Sequence, residues 1–394
     1  MTVLSREALG TSAPTVGIVH LGVGAFHRSH QAWYTDMVDD DAEWGIAGFT
    51  GRSPEMARLL TPQDGLYTLI TRSEAVDKAR IIAALTSVTD GADLDRLAGM
   101  LAAPATKLVT LTITEPGYRT DSDGVPARLL RGLDARRRAD AGPIAVVSCD
   151  NLPSNGQRLS EILHELAFGA LSDWLTESVS FVNTSVDRIT PAATPADAAI
   201  AEALTGWQDA APVVTEPFHN WILSGDFPAG RPQWERAGAE FVDDIEPFER
   251  RKLWLLNGAH STLAYLGLHR GRRTVTEAID DPMCRAAVHA LWEEAGRHLP
   301  GIDVPGYCAQ LLTRWENPRI EHQLAQIALD GTEKLRVRIV PVALLELAAG
   351  RDASACAAAI GAWQTQTGGT LAELSPELAD HADFVKAVRE RTPA

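Results

Sequence analysis

Short, nearly continuous runs of β-branched and apolar residues recur along the first part of the chain, at Val16–Leu21, Gly45–Phe49, Tyr67–Ile70, Lys107–Thr114, Ile144–Ser148 and Val179–Val182. Helical patterns lie between them, at Arg28–Val38, Pro54–Leu60, Leu94–Leu101 and Gln157–Leu171. Strands that are apolar on both faces and alternate with helices predict a mostly parallel sheet covered on both sides. The texture then changes. Leucine and alanine recur at helical spacing through Phe248–Gly267, Thr276–Glu294, Ile320–Leu329, Val340–Ala349 and Ala353–Gln364, and strand-like runs nearly vanish. The change falls in the segment Phe241-Val-Asp-Asp-Ile-Glu-Pro247. We therefore expect an α/β domain with a parallel-rich sheet over residues 1–244 and a mainly α-helical domain over 245–394.

One helical run differs in kind from the others: Glu249-Arg-Arg-Lys-Leu-Trp-Leu-Leu-Asn-Gly-Ala-His260. At about 100° per residue, with Lys252 at zero, Glu249 falls near 60°, His260 near 80° and Asn257 near 140°. Leu253 and Leu256 share that arc, while Trp254 and Leu255 face elsewhere, so both sides of the helix are expected to be partly buried. An amphipathic surface helix usually sets a solvated charged face against an apolar one. Here a carboxylate, an amine, an amide and an imidazole stand among leucines, the composition of an active-site wall.

The first strand runs into Leu21-Gly-Val-Gly-Ala-Phe-His-Arg-Ser-His30 and then a helix. Strand, glycine turn and helix in this order carry the first two glycines of a dinucleotide fingerprint. Gly22 would permit the tight turn, and Gly24 would let the backbone approach a pyrophosphate at the helix N-terminus. Phe26, in the same turn, joins the candidate cofactor contacts. The third glycine position holds His27. The second strand is expected to end beside the ribose, where an acid favours NAD. The segment there is Thr50-Gly-Arg-Ser-Pro-Glu55, with no acid at the strand end. Arg52 and Ser53 could hold a phosphate, or Arg52 is a solvated loop cation. NAD and NADP both stay open, with NAD placed first.

The bulk numbers narrow the partners. The chain has 394 residues, 45% hydrophobic and 22% charged, with a net charge of −16. That is an ordinary soluble composition, large enough for two domains. The negative balance argues against a nucleic-acid groove or an anionic membrane as partner. No signal-peptide pattern opens the sequence and no run is long enough to span a bilayer, so a cytoplasmic protein is expected. Cys149, Cys284, Cys308 and Cys356 are scattered without metal-ligand spacing and read as free thiols. His27-x-x-His30 is the one close histidine pair and sits in the glycine turn, away from carboxylates, so no metal is expected. No Tyr-x-x-x-Lys occurs, which removes the short-chain dehydrogenase dyad.

Several ordered motifs together carry a family resemblance. They are Gly22-Val-Gly-Ala-Phe-His-Arg-Ser-His30, Gln63-Asp-Gly-Leu-Tyr67, Thr112-Ile-Thr-Glu-Pro-Gly-Tyr118, Ser148-Cys-Asp-Asn-Leu-Pro-Ser-Asn-Gly156, Val186-Asp-Arg-Ile-Thr-Pro191, Glu216-Pro-Phe218 and the helix from Glu249 to His260. The chain resembles the mannitol dehydrogenase family, the polyol-specific long-chain dehydrogenases, which includes fructuronate reductases. The resemblance runs from Ile18 to about Arg338. It implies a Rossmann-type N-terminal domain, a helical substrate domain and metal-independent hydride transfer between NAD(P) and a secondary alcohol. The family's Lys-x4-Asn-x2-His motif falls on Lys252, Asn257 and His260, and its preceding acid on Glu249. Its asparagine after Ser-Cys-Asp falls on Asn151, its aspartate in Val-Asp-Arg on Asp187, and a lysine following an Asp-Gly pair on Lys334. Four residues before that Asp-Gly, mannitol dehydrogenases often carry a substrate-contacting arginine. This chain has Gln326, a pattern closer to the fructuronate reductases.

Each candidate has a chemical and a structural reading. Burial would lower the Lys252 amine towards neutrality and suit it to general acid/base work; alternatively it snorkels from a buried helix. Asn151 and Asn257 can each aim an amide at an alkoxide-like oxygen, although Asn151 also fits an Asx turn. His260 would hold a substrate hydroxyl or be a satisfied core histidine. Glu249 would relay the proton to solvent or be a surface charge. Asp187 would bind sugar hydroxyls or pair with Arg188. Lys334 would bind a distal hydroxyl or a carboxylate of the substrate, or be a solvated lysine; Gln326 would meet the same end, and Arg314, Arg319 and Arg338 are further candidates for a carboxylate. The expected reaction interconverts a sugar alcohol and its keto sugar, of the mannitol/fructose type. The alternatives are a mannonate/fructuronate oxidoreductase and, in a different class, a catalytically silent nucleotide-binding sensor. The expected partner is a small polyol, ketose or hexonate, on a monomer or small homo-oligomer.

Overall fold

The computed structural model describes residues 2–121, 124–320 and 322–391. The chain divides into two compact units, one ending at Ile245 and the other beginning at Glu246.

The first unit is built on one large sheet. Its strands are β1 (Val16–Leu21), β2 (Gly45–Phe49), β3 (Leu85–Thr89), β4 (Leu108–Leu111), β5 (Ile144–Ser148), β6 (Val179–Asp187), β7 (Asn220–Ser224) and β8 (Glu240–Phe241). Strands β3-β2-β1-β4-β5-β6 lie side by side and all parallel. This is the doubly wound 3-2-1-4-5-6 order. β7 adds antiparallel to β6, and β8 closes that edge parallel to β7. The apolar continuity of the strand sequences now has its cause. Ile18, Leu108, Ala145 and Val147 belong to the core on one face, and Val19, Val109, Ile144 and Val146 to the core on the other. Successive residues of one strand point to opposite faces, and here both faces are dry.

Several boundaries depart from expectation for local reasons. The run from Arg28 to Val38 is not one helix: α1 (Ala25–Ser29) and α2 (Gln31–Asp36) are separated by His30, whose backbone leaves the helical region at φ −117°, ψ −88°. The run from Gln157 divides at Gly169, which adopts φ +56° between helices Asn155–Leu166 and Ala170–Ser178. The strand at Tyr67 continues to Arg72 but lies outside the main sheet. It pairs antiparallel with Asp77–Ile82 and parallel with Val213–Thr215 in a separate three-stranded sheet.

The second unit is helical around a single apolar core. Its opening run is continuous but not uniform: α3 (Glu246–Arg251), a π-helical stretch Lys252–Asn257, then α4 (Gly258–His269). From Gly258 to Tyr265 every residue of α4 is buried, which makes it the central helix of the unit. The remaining elements used below are α5 (Pro282–Gly296), α6 (Val304–Trp315), α7 (Leu324–Ile327) and α8 (Gly331–Arg338). The expected helix 276–294 is interrupted by Asp281, whose carboxylate caps α5 by accepting from Met283 N at 2.9 Å, with Pro282 at the first helical position. Among the described residues no helix is long and apolar enough to cross a membrane.

Candidate active site

In the first unit the turn after β1 is fixed by backbone geometry. Gly22 has φ +102°, and a Cβ placed there would lie 2.2 Å from the Thr112 carbonyl oxygen, so no side chain fits. The Gly22 and Val23 amides both donate to Phe49 O, at 2.9 and 3.1 Å, which ties the turn to the end of β2. Gly24 is different: a Cβ there would meet nothing nearer than Gly22 O at 3.7 Å. The protein's own packing does not require that glycine, and its bareness leaves the backbone open to a close-approaching group, which fits a dinucleotide pyrophosphate. Phe26 is half-buried in α1 and stacks on His30 with ring centroids 5.0 Å apart. Where the fingerprint has its third glycine, His27 is fully buried and lies flat on His20 of β1, centroids 3.3 Å apart and planes 13° from parallel. A stack of two thin rings serves the close helix–strand contact that a glycine usually allows. Arg52 is exposed just beyond the carboxyl end of β2.

The segments around Glu115 and Cys149 meet through one carboxylate. Asp150 is buried and accepts from Thr114 N at 2.7 Å and from the Tyr118 hydroxyl at 2.9 Å. Burial pushes its carboxyl above the usual range, against the pull of those donors. Asn155 then clamps the turn, donating to Asp150 O and Thr184 O, both at 2.8 Å. This leaves Asn151 exposed at the carboxyl end of β5, the sheet edge at which parallel α/β folds place their ligands. Asp187 ends β6, half-buried. Its neighbour Arg188 is buried, donates to the carbonyls of Ser29 and Glu216, and lies over the Trp33 ring at 4.7 Å.

In the second unit the helical angles change. Gly258 N donates to Leu253 O, five residues back, rather than four. A π turn holds one residue more than an α turn, so positions beyond it fall back by about 100°. Relative to Lys252, Asn257 moves from about 140° to about 40°, and His260 from about 80° to about −20°. The expected arc therefore needs correction: with Glu249 near 60°, the four groups share an arc of about 80° rather than about 140°. Lys252, Asn257 and Glu249 are half-buried and His260 is buried.

His260 sits between Trp315, at 5.2 Å, and His322, edge-on at 5.2 Å. Its Nε2 is buried without a hydrogen-bond partner. Burial, then the neighbouring His322, Arg314 and Arg338, hold its pKa well below the ordinary imidazole value, so the ring is neutral at pH 7. Arg338, the last residue of α8, donates to Asn257 O at 3.3 Å and to Ser261 Oγ at 3.1 Å. Its burial lowers its pKa to about 10. Lys334, one turn earlier, donates to Ile327 O at 3.1 Å, and burial and then Arg338 lower its pKa. Gln326 is exposed on the single turn α7. Arg338 thus links the segment 257–261 electrostatically to His260 and to Lys334, whose amine is bonded to the short helix that carries Gln326. Two residues of this neighbourhood carried no sequence signal: Trp292, whose indole donates to Leu255 O at 2.8 Å, and Trp315 against the imidazole. Among the described residues no group of three or more His, Cys, Asp or Glu side chains is placed to hold a metal ion.

This is the architecture of a Rossmann-type oxidoreductase with an added helical domain. Two family profiles match it in succession, the mannitol dehydrogenase Rossmann domain over residues 16–236 and the mannitol dehydrogenase C-terminal domain over residues 244–386. The chain belongs to the mannitol dehydrogenase family. It is 35% identical to a mannitol 2-dehydrogenase of Pyrenophora tritici-repentis, over 88% of this chain and 68% of that one. It is 34% identical to a D-mannonate oxidoreductase of Escherichia coli, over 89% of this chain and 80% of that one. Among solved structures it is similar to the Pseudomonas fluorescens mannitol 2-dehydrogenase ternary complex with NAD and D-mannitol. That match has a TM-score of 0.82 and 30% identity, covering 100% of this chain and 96% of the other.

Proposed function

We propose that this protein interconverts a sugar alcohol and its keto sugar, of the mannitol/fructose type, with NAD or NADP as cofactor and Lys252 as general acid/base. The observation that carries the reading is the π-shifted arc, which turns Lys252, Asn257 and a neutral His260 with an unpartnered Nε2 to one side of a buried helix. When bound, the cofactor supplies the hydride chemistry. Gly22, Gly24 and Phe26 would line its turn, and Arg52 would lie towards the ribose.

On the protein's side, the Lys252 amine takes the proton of the reacting hydroxyl, or returns it in the reverse direction. The Asn257 amide donates to the oxygen as charge develops on it, a task worth several kcal/mol in a water-poor site. Asn151 is assigned the same task on the family's pattern. His260 Nε2, lacking a partner in the protein, is supplied with one by a substrate hydroxyl, and its neutrality lets it donate or accept. Glu249, one turn before the lysine, passes the proton to solvent. Asp187, Lys334 and Gln326 would meet the remaining hydroxyls.

A second reading is supported by charge. Arg314 and Arg338 both bear on His260, and Lys334 lies beside Arg338, a concentration of positive groups that suits a carboxylate-bearing hexonate. Fructose and fructuronate reduction measured side by side, with NADH and with NADPH, separates the two. Turnover of fructuronate with none of fructose overturns the first reading. Replacement Lys252→Met is expected to lower kcat by about 10²- to 10⁴-fold. A wild-type protein inactive on every keto sugar of the class would instead support a nucleotide-binding sensor.

A further inference from the structure

The π stretch raises the question of what holds it. A change of helical period from five residues to four passes over one carbonyl, so the end of such a stretch calls for donors from elsewhere. Two carbonyls of this turn receive side chains from other helices. Leu255 O accepts from the Trp292 indole of α5 at 2.8 Å in a fully buried bond, and Asn257 O accepts from Arg338 of α8 at 3.3 Å. The indole bond is the shorter and drier of the two. The Trp292 ring also stacks on Trp315, 5.6 Å away and 23° from parallel, and Trp315 packs on the His260 ring at 5.2 Å. One side chain thereby touches both the backbone that sets the angle of Lys252 and the ring that braces His260.

We infer that Trp292 is a positioning residue for the reaction: by holding the Leu255 carbonyl, its indole N–H keeps the π turn that places Lys252 on the arc of Asn257 and His260. The inference rests on the reading of Lys252 as the acid/base. Were the turn to relax to α geometry, Asn257 and His260 would swing by about 100° relative to Lys252. Such a swing is larger than the misplacement of about 1 Å that already costs about 10²-fold in rate. Trp292 touches no reacting atom, and its effect passes wholly through the turn.

The test removes the donor and keeps the ring. Trp292→Phe, and Trp292→benzothienylalanine, in which sulfur replaces the indole N–H with almost no change of shape, are compared with wild type and with Lys252→Met. The isostere preserves packing, so it remains informative if the phenylalanine variant folds poorly. For both variants kcat is expected to fall about 10- to 100-fold. The basic limb of the kcat pH profile should shift as well, because the lysine's surroundings change, a readout that a merely structural bond would not move. A folded isostere with wild-type kcat and pH profile overturns the inference. So does a loss confined to the unfolding temperature, which would make the bond merely structural. Full activity in Lys252→Met would overturn the underlying reading instead, and the two failures are told apart by that single control.

Discussion

Acid should unfold the first unit through its histidines. His20 and His30 are both fully buried, and burial is the leading cause that holds each at a pKa of about 3. His20 bonds to the Thr110 and Thr112 hydroxyls, and His30 Nε2 to Asn220 O, while His30 Nδ1 has no partner. In the unfolded chain each imidazole titrates near about 6.5. The folded pKa is depressed, so each contributes stability that is complete above the unfolded value and is lost as pH falls towards the folded one. At pH 5, about 1.5 units below the unfolded value, each costs about 2 kcal/mol, and the pair about 4 kcal/mol. His27 and His219 are shifted the same way, whereas Asp150, with its raised carboxyl, works against them. A loss of about 4 kcal/mol is a large part of the 5–15 kcal/mol that holds a typical domain together. Urea unfolding followed by tryptophan fluorescence at pH 7.5 and pH 5.0 measures the loss. Trp221, edge-on to His30 at 5.4 Å, reports on the unit concerned. The variant His30→Gln should lose about 2 kcal/mol less than wild type over the same interval, whatever its stability at pH 7.5. Equal losses in the two proteins would refute the assignment of acid lability to buried neutral imidazoles.

Two further outcomes follow from single contacts. Gly22→Ala sets a Cβ 2.2 Å from the Thr112 carbonyl at a φ of +102° and should destabilise the first unit by about 3 kcal/mol or more, read as a fall in the melting temperature of that transition; an unchanged transition would mean the turn relaxes freely. Glu346 is 1% exposed and takes Arg297, Arg351 and His298 on its two oxygens, which lowers its pKa. Because both arginine side chains are partly solvated, Glu346→Gln should cost about 1–2 kcal/mol at pH 7. That gap should close as pH falls through the depressed carboxyl pKa, and a gap independent of pH between 7 and 3 in urea titrations would refute the charge assignment.

The large sheet was legible because burial on both faces leaves a nearly continuous apolar record in β1, β4 and β5, broken only by the buried His20, Thr110 and Ser148. The three-stranded sheet was not. Asp77–Ile82 reads Asp-Lys-Ala-Arg-Ile-Ile on a partly exposed surface, with no clean two-residue alternation to separate a strand from a loop. The break at His30 also left no mark, since no glycine or proline stands there. It arises from tertiary demands, with the ring stacked on Phe26 and bonded to Asn220 O. In the candidate site, residue types were legible and their supports were not. Lys252, Asn257 and His260 announce themselves as chemistry inside an apolar helix. Asp150 and Trp292 act across 36 and 37 residues of sequence, through bonds that only the fold creates.

The spacing of the motif nevertheless held more than a uniform helical wheel could extract. Lys252 and Asn257 are five apart, and Asn257 and His260 three apart. On an α-helix neighbours on one face are three or four apart, and five is a poor spacing for cooperation. In a π turn, bonded i to i+5, five is the spacing that brings two side chains one above the other. A lysine and an amide that must address the same oxygen are therefore better served by five than by four only if the backbone between them is π. The three-residue step to His260 then belongs to the α-helix that resumes at Gly258. On this argument the residue count and the turn belong together. Relaxing the turn alone would swing Asn257 and His260 off the arc of Lys252, whereas deleting one residue from Leu253–Leu256 as the helix returns to α geometry would leave them near about 40° and about −20°, as before.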